Sequence, residues 1–304
     1  MSNAYLRFWG VRGSYTAPFD THLGVGGNTS CVEIRVENRI LLCDAGTGLI
    51  TFGNEMLKQS EIRDLLIILT HYHWDHICGL PFFVPAFIPD WNISIFGPGQ
   101  SNKDIEEYVS AQMKAPYFPV GTETWLAKIN YLQPPKDHKF NHGPISFTYQ
   151  NVHHPGTTYG YRINANGRTI LYISDNECLY LDKSLKQKYQ ELNEEEKELY
   201  DKIKKEEYGA ELKLIQGADI LIHDAQYTPE DYEKKYGWGH SCYVDTVNTA
   251  IDAGVNELYL YHHDPNYDDV IIGKIHEHTQ QIIQERNSTL KCHVAREGMI
   301  IDLS

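Results

Sequence analysis

Residues 70–76 read Thr-His-Tyr-His-Trp-Asp-His, so three imidazoles and one carboxylate fall within six consecutive positions. The stretch DLLIIL at 64–69 comes directly before them and predicts a short buried strand. On an extended loop, His71 and His73 can point to one metal, while Asp75 and His76 face a second position. Imidazole nitrogen and carboxylate oxygen together suit zinc, manganese or iron better than magnesium. Any one of these residues alone would be an ordinary surface or core side chain, but four at this spacing predict a metal site.

The length and charge of the chain limit the classes of protein that it can belong to. With 304 residues, it can form one large α/β domain or a domain with insertions. Its composition, 41% hydrophobic and 22% charged, is that of a globular protein. The net charge of −14 disfavours binding to a nucleic acid polymer, which depends on Lys and Arg. The net charge remains compatible with a small anionic substrate, because bound metal ions reverse the local charge.

The six cysteines are scattered and form no Cys-x-x-Cys pair. The sequence also has no apolar signal segment and no long apolar span. We therefore expect reduced thiols in a cytoplasmic protein that does not cross a membrane. Cys78 lies two residues beyond His76 and is either a soft metal ligand or part of the packing of the next helix.

Alternation and apolar runs predict an ordered series of strands and helices. Strands are expected at 4–10, 31–36, 39–43, 64–69, 92–96, 147–152, 160–163, 169–173, 218–222, 257–261 and 291–301. Helices are expected at 49–58, 78–88, 104–113, 244–253 and 270–285. Asn166-Gly167 is a favoured two-residue turn between two of the strands. The order gives two similar halves, which favours two sheets between layers of helices.

A Lys- and Glu-rich stretch from Leu181 to Tyr208 interrupts this pattern. Its apolar residues recur at three-, four- or seven-residue steps, which predicts an amphipathic helix or helix pair ended by Gly209. The charges are expected to be a solvated face. The apolar stripe would pack on its own domain or on a second subunit, which would make the protein a homodimer.

Histidine and aspartate recur where apolar strands end, at 71–76, 154, 175, 223–224 and 262. In α/β sheets the ligand site lies beyond such strand ends, so these groups can converge there. The positions resemble the motifs of the metallo-β-lactamase-fold hydrolases: LLCDAG at 41–46, HYHWDH at 71–76, HHPG at 153–156, Asp175 and LYLYHHDP at 258–265. The resemblance covers nearly the whole chain. It implies an αββα sandwich of two mixed β-sheets, in one domain over 1–304 with a charged helical insertion at about 182–213.

Within that superfamily the chain resembles a phosphodiesterase-like branch, related to the tRNA 3′-processing ribonuclease (ribonuclease Z) and to cyclic-nucleotide phosphodiesterases. The stretches that carry this resemblance are FWGVRGS, GGNTSCVE, PYFPV, GYRI, HDAQY, GWGHS and HHDP. The Gly-rich basic arm with which the ribonuclease holds tRNA has no counterpart here, and neither does the extra C-terminal helical domain of glyoxalase II. His-x-His replaces the His-x-Glu of diiron oxidoreductase relatives, which favours hydrolysis.

The resemblance also implies roles for individual residues. One metal would be bound by His71, His73 and His154, and the other by Asp75, His76 and His262, with Asp175 bridging the two. His153 and His263 are alternatives to their neighbours, and the residue of each pair that is not a ligand is expected to hydrogen-bond one. Asp44 would brace the loop. His240 would assist phosphate chemistry, with its ring oriented by Asp224.

These assignments imply a hydrolase with two divalent metal ions, zinc or otherwise manganese or iron. Its substrate would be a small phosphodiester such as a cyclic nucleotide, attacked by a hydroxide that bridges the metals. Three alternatives remain: a nuclease acting on RNA 3′ ends, a hydrolase of a thioester or lactam, and a metal-bound sensor or scaffold with little turnover. Five further residues either contact substrate phosphate or are structural: Arg12, Asn28, Thr29, Ser30 and Arg162.

Overall fold

The computed structural model describes residues 4–59, 61–180 and 189–304. Strands from the two ends and the first half of the chain form a seven-stranded sheet in the order β14-β1-β2-β3-β4-β5-β6. Antiparallel pairing in β14-β1-β2-β3 changes to parallel pairing in β3-β4-β5-β6. Its strands are Ala4–Gly10 (β1), Cys31–Val36 (β2), Arg39–Cys43 (β3), Asp64–Ile68 (β4), Asn92–Phe96 (β5), Lys128–Leu132 (β6) and Ile300–Asp302 (β14).

A second seven-stranded sheet has the order β13-β12-β11-β10-β9-β8-β7 and repeats this arrangement. Pairing is parallel from β13 to β10 and antiparallel from β10 to β7. Its strands are Lys139–His142 (β7), Ile145–Asn151 (β8), Tyr159–Ala165 (β9), Arg168–Ile173 (β10), Ile220–Asp224 (β11), Glu257–Tyr261 (β12) and Lys291–Val294 (β13). Both sheets are therefore mixed, as the sequence predicts.

Seven α-helices lie along the described residues. They are Gly48–Gln59 (α1), Trp74–Ile77 (α2), Asn102–Ala111 (α3), Glu194–Ile215 (α4), Pro229–Tyr232 (α5), Tyr243–Asp252 (α6) and Asp269–Glu285 (α7). Capping boxes start α3, through Ser101 and Asp104, and α4, through Asn193 and Glu196. No helix among the described residues is both long and apolar enough to cross a membrane.

Alternation along the strands directs side chains to both faces of each sheet, so apolar side chains pack between the sheets, under α1 on one side and under α6 and α7 on the other. Side chains of both sheets, such as Phe8, Leu66, Phe147 and Tyr161, pack in one buried cluster between the sheets. The opposite side chains of the first sheet, such as Ile67, pack with apolar side chains of α1. Each fully buried aliphatic or aromatic side chain contributes about 1.5–3 kcal/mol. The predicted αββα sandwich is thus confirmed. That residues 1–304 make one domain stays a prediction.

Two of the predicted elements were wrong in type or extent. Residues 78–88 form two short 3-10 helices, Leu80–Phe82 and Val84–Phe87, because Pro81 and Pro85 have no backbone N–H to continue an α-helix. The single strand predicted over 291–301 is two strands, β13 and β14, in different sheets. Strands β6 and β7 were not predicted, because their residues are half-exposed and show no clear apolar alternation.

The charged insertion also differs from the prediction. Helix α4 runs through Gly209 to Ile215, so this glycine does not end it. Leu199 and Ile203 of the predicted apolar stripe are exposed, whereas Tyr200 and Ile215 are buried. The first part of the predicted helix, residues 181–188, lies outside the described residues.

Candidate metal centre

The predicted ligands converge where neighbouring strands end, between the two sheets. The segment 71–76 follows β4, Asp175 follows β10, and His262 follows β12. His154 lies in the turn between β8 and β9, which brings it beside the end of β10. Helix α2 has only four residues, which is enough to turn Asp75 and His76 away from His71 and His73. The local geometry therefore separates the ligands of one short segment into two groups.

The first group consists of His71, His73 and His154, whose ring nitrogens face one another. His154 Nε2 lies 3.0 Å from His73 Nδ1. The ring centroids of His71 and His73 are 4.4 Å apart, and those of His71 and His154 are 4.7 Å apart. His73 is exposed whereas His71 is buried, so the group lies at the floor of an opening to solvent.

The second group consists of Asp75, His76, Asp175 and His262, all of them buried. His262 Nε2 lies 3.1 Å from Asp75 Oδ2 and 3.3 Å from His76 Nε2. His76 Nε2 is 3.3 Å from Asp75 Oδ2. These nitrogen and oxygen atoms surround one small space.

Asp175 lies between the groups and presents one carboxylate oxygen to each. Its Oδ1 is 3.1 Å from His76 Nε2 and 3.4 Å from His262 Nε2. Its Oδ2 is 3.7 Å from His71 Nε2 and 3.8 Å from His154 Nε2. This is the placement expected of a carboxylate that bridges two cations.

The chemistry of these atoms fits two bound cations. Asp175 Oδ1 and His71 Nε2 are buried and make no hydrogen bond within the described chain. His76 Nδ1 donates to Asp44 Oδ2 at 2.8 Å, and His262 Nδ1 donates to Gln226 Oε1 at 2.9 Å. When neutral, each of these rings carries its lone pair on Nε2, and the two lone pairs repel each other unless positive charge lies between them. A cation satisfies all of these atoms at once.

The pKa values are consistent with this interpretation. Burial lowers the pKa of His71 and of His154, which keeps both rings in the neutral form that binds metals. For His76, burial also acts to lower the pKa, but the nearby carboxylates of Asp175 and Asp75 outweigh it and raise the pKa well above the usual value. Without a metal, the second group therefore attracts a proton in place of a cation.

Polar side chains around the centre fix the orientation of the ligands. Asp44 accepts hydrogen bonds from the backbone N–H and the hydroxyl of Thr70, from His76 Nδ1 and from the Tyr172 hydroxyl. Because the Thr70 hydroxyl donates to Asp44, its oxygen can accept from His71 Nδ1 at 3.0 Å. Asp44 thus braces the loop, as the resemblance implies. Motif spacing gave no sign of the roles of Thr70 and Gln226.

The backbone is strained at two of these positions. Asp44 and His262 have φ of 61° and 58°, in the left-handed region that side chains rarely adopt. Such strain persists only where the surroundings hold it, and it clusters at functional sites. Gly13 packs against the His262 ring so closely that a Cβ there would lie 2.4 Å from ring atoms. The chain thus gives up local stability to place His262.

His240 and Asp224 form a hydrogen-bonded pair beside the centre. His240 Nδ1 donates to Asp224 Oδ2 at 2.7 Å, which leaves Nε2 as the free ring nitrogen. The ring stacks on His262 with 5.0 Å between centroids and lies 4.9 Å from that of His154. Burial lowers the pKa of His240.

The loop that carries His240 is held by Glu177, a residue that no sequence motif indicated. Its carboxylate accepts hydrogen bonds from the backbone N–H groups of Gly237 and Gly239 and from the Tyr232 hydroxyl. Gly239 has φ of 83°, and a Cβ there would lie 2.5 Å from His154 Nδ1. The carbonyl of Gly239 accepts from that nitrogen at 2.8 Å. The same loop therefore positions both His240 and His154.

The structure places the two alternative histidines outside the centre. His153 is half-exposed and pairs with Glu207 at 2.9 Å. His263 is buried, and its Nε2 donates to the Ala295 carbonyl at 3.1 Å. Neither hydrogen-bonds a predicted ligand, so the role expected for them was wrong.

The five possible phosphate contacts are engaged elsewhere or buried. Arg12 is fully buried and donates to the carbonyls of Gly26, Asp264 and Tyr267. Arg162 donates to carbonyls at the end of α4. Asn28 is half-buried and donates to Glu297. Thr29 exchanges hydrogen bonds with Thr47, and Ser30 is buried. These positions are structural.

A cleft of 720 Å³ opens beside the first group. It is lined by His71, Tyr72, His73, Pro98, Gly99, Gln100, Asp104, Tyr108, Pro155, Gly156, Thr157 and Tyr159. A second cleft of 400 Å³ shares Tyr72 and Tyr108 and is walled in part by Tyr117 and Phe118 of the PYFPV stretch. Neither lining includes a Lys or Arg among the described residues. Both volumes suit a small molecule.

Comparisons with known proteins agree with this fold. A family model described as "Beta-lactamase superfamily domain" matches residues 39–193. Ribonuclease Z of Nostoc punctiforme is 25% identical over 268 residues, covering 79% of this chain and 80% of that protein. The metallo-beta-lactamase fold protein YhfI from Bacillus subtilis has a TM-score of 0.68 at 18% identity, covering 98% and 99% of the two chains. A diphosphatase from the PhnP family has a TM-score of 0.61 at 16% identity, covering 99% and 98%.

Proposed function

This chain belongs to the beta-lactamase superfamily, and from that premise we propose that it is a metal-dependent hydrolase that cleaves a phosphodiester bond in a small substrate such as a cyclic nucleotide. The observation that carries this proposal is the position of Asp175, whose two oxygens face two separate groups of ligand atoms. Here two metal positions share one carboxylate and lie next to a histidine–aspartate pair. This arrangement suits the hydrolysis of a charged ester. A structural site, in contrast, binds one ion and closes at four ligands.

Seven side chains would hold the two metal ions. One ion would be held by His71, His73 and His154, the other by Asp75, His76 and His262, and Asp175 would serve both. Two such cations, when bound, would supply a nucleophile at neutral pH and neutralise charge on the phosphate. The chain's contribution is to hold the ligand atoms in place, through Asp44, Thr70, Gln226 and the Gly239 carbonyl.

His240 would donate a proton to the leaving group. Because Asp224 accepts from Nδ1 at 2.7 Å, the second proton of a charged ring sits on Nε2 and can pass to the oxygen that leaves phosphorus. Asp224 also fixes the tautomer of the ring and prevents it from rotating. The neutral ring that remains would be reprotonated from water.

The cleft supports a small substrate. Its walls carry tyrosine side chains, which can stack on a base, and no Lys or Arg among the described residues. A nucleic acid polymer needs several basic side chains along its backbone, and the chain carries a net charge of −14. The phosphate of a mononucleotide would instead be neutralised by the metal ions themselves.

A second function, cleavage at RNA 3′ ends, is favoured by one observation. Ribonuclease Z proteins are similar to this chain over about four fifths of its length or more. A substrate panel on protein of measured metal content distinguishes the two. We expect turnover of 3′,5′-cyclic nucleotides and little cleavage of a 3′-extended tRNA. The reverse pattern would establish the nuclease, and no turnover of either by fully loaded protein would favour a sensor or scaffold.

A further inference from the structure

A second cluster of possible ligands lies outside the centre described above and takes no part in the proposed reaction. It consists of Cys178, Glu211 and His223, whose side-chain donor atoms all lie within 4.8 Å of one another. We propose that these three side chains bind an additional divalent transition metal ion, with zinc as the best match, in a structural site independent of the hydrolytic centre.

The three residues come from different parts of the chain. Cys178 follows β10, His223 lies within β11, and Glu211 lies in α4. Cys178 Sγ and His223 Nε2 are 3.8 Å apart. Sulfur and nitrogen ligands of one tetrahedral zinc ion, at about 2.3 and 2.0 Å from the metal, are about 3.5 Å apart. The observed spacing thus needs little adjustment to accept an ion.

The lone pairs of these atoms face inward. His223 Nδ1 donates to the backbone carbonyl of Asp224 at 2.8 Å, so the lone pair of the neutral ring is on Nε2, on the side of Cys178. A hydrogen bond from the other ring nitrogen to a carbonyl is the usual support of a metal-bound histidine. Burial lowers the pKa of His223 to about 4, which keeps the ring neutral. Glu211 Oε2 is buried and makes no hydrogen bond within the described chain.

The charges of the donor set match a divalent ion. A thiolate, a carboxylate and a neutral imidazole together carry two negative charges, which a divalent cation neutralises in the protein interior. The set of one sulfur, one nitrogen and one oxygen suits zinc better than magnesium or calcium.

Asn176 occupies the position that a fourth ligand would take. Its Nδ2 lies 3.2 Å from Glu211 Oε1, 3.4 Å from His223 Nε2 and 3.6 Å from Cys178 Sγ. The amide has only two hydrogens for these three acceptors, so it cannot satisfy them all. In the metal-bound form the amide would turn its oxygen to the fourth position in place of its contact with the His153 N–H, which closes the site at four ligands. The competing arrangement is a metal-free network in which the Cys178 thiol is a donor.

Such an ion would fasten α4 to the second sheet. It would also fix Asn176, whose backbone N–H donates to Asp224 Oδ2 at 3.2 Å. The role is structural, since none of the three ligands contacts the first or second group of the hydrolytic centre.

Cobalt(II) titration of the full-length apoprotein tests the proposal, because a cobalt–thiolate bond gives a charge-transfer absorption in the near ultraviolet that imidazole and carboxylate ligands do not give. We expect three cobalt ions per chain and one thiolate band. Cys178→Ser should bind two ions and lose the band. Cys78→Ser is the matched control, since Cys78 follows the metal-binding segment, and it should keep three ions and the band.

Two outcomes would overturn the proposal: wild-type protein that binds two ions with no thiolate band, or a band that survives Cys178→Ser. If Cys178→Ser fails to fold, Glu211→Gln keeps the thiol in place, and it should weaken binding of the third ion at least tenfold. Unchanged affinity of the third ion in that variant would equally refute the site. These readouts do not depend on hydrolysis, so they stand whether or not the proposed function is correct.

Discussion

Replacing His240 with Ala should slow hydrolysis in a way that depends on the leaving group. The ring is held by a 2.7 Å hydrogen bond to Asp224 and stacks on His262, which places it to protonate the departing oxygen. General acid catalysis contributes about 10²–10⁴-fold, which corresponds to about 2.7–5.4 kcal/mol of transition-state stabilisation. The full loss is expected only where the leaving group needs that proton.

Two substrates separate this role from a structural one. A 3′,5′-cyclic nucleotide releases a ribose alkoxide, which is strongly basic and needs protonation. A 4-nitrophenyl phosphodiester releases a stable phenolate, which does not. We expect kcat/KM of His240→Ala to fall by about 10²–10⁴-fold for the first substrate and by less than about tenfold for the second.

The comparison requires that the variant keeps its metal ions. His153→Gln is the matched control, because His153 neighbours a ligand in the sequence but its side chain pairs with Glu207 outside the centre. It should leave both rates and the metal content unchanged. If His240→Ala lowers kcat/KM equally for both substrates, or if His240→Ala loses metal, the proton-donor role is refuted.

Three other perturbations have defined outcomes. Gln226→Leu removes the acceptor for His262 Nδ1 and should weaken metal binding by about 10–100-fold in competition with a chromophoric chelator; unchanged affinity would contradict its orienting role. Arg12→Ala leaves three buried carbonyls unpaired and should lower the free energy of unfolding in urea by about 3 kcal/mol, with kcat/KM of the loaded enzyme unchanged; a specific loss of kcat/KM would instead indicate a phosphate contact. Burial lowers the pKa of His263 to about 3, so the unfolded chain takes up a proton below about pH 6.5 that the folded chain does not. In the chelator-treated protein this group should therefore reduce stability by up to about 1.4 kcal/mol per pH unit between pH 6 and 5, a contribution that His263→Gln should remove; equal pH dependence of the two proteins would contradict the assignment.

The metal-binding segment could be predicted because the pattern that identifies it lies within a few consecutive residues. A buried strand followed by alternating ligand residues fixes which side chains share a face, whatever the rest of the chain does. Most strands of both sheets were recognisable for the same reason, since their alternation reflects the face that packs against the other sheet; β6 and β7, which lack it, were not. The family motifs then linked this segment to Asp175, which lies about a hundred residues away in the sequence.

Features that depend on distant partners were not predictable. Gln226 and Glu177 are ordinary polar residues in the sequence, and only the fold brings them to His262 and to the loop of His240. Arg12 resembled a phosphate ligand, because nothing local shows that its partners are the carbonyls of a segment 250 residues away.

The extent of α4 was misjudged for a related reason. Glycine is a weak helix former, at a cost of about 1 kcal/mol relative to alanine, and Gly209 was therefore expected to end the helix. The helix continues to Ile215, which is buried in the core together with Leu214 and Leu212 packed against it. Tertiary packing of that last turn outweighs the local cost.

We propose that one carboxylate, Asp175, joins two metal positions. Anomalous diffraction from crystals of metal-loaded protein tests this directly. We expect two strong peaks flanking Asp175, one contacted by His71, His73 and His154 and the other by the remaining predicted ligands. A single peak in this centre, or two peaks of which neither contacts Asp175, would contradict it.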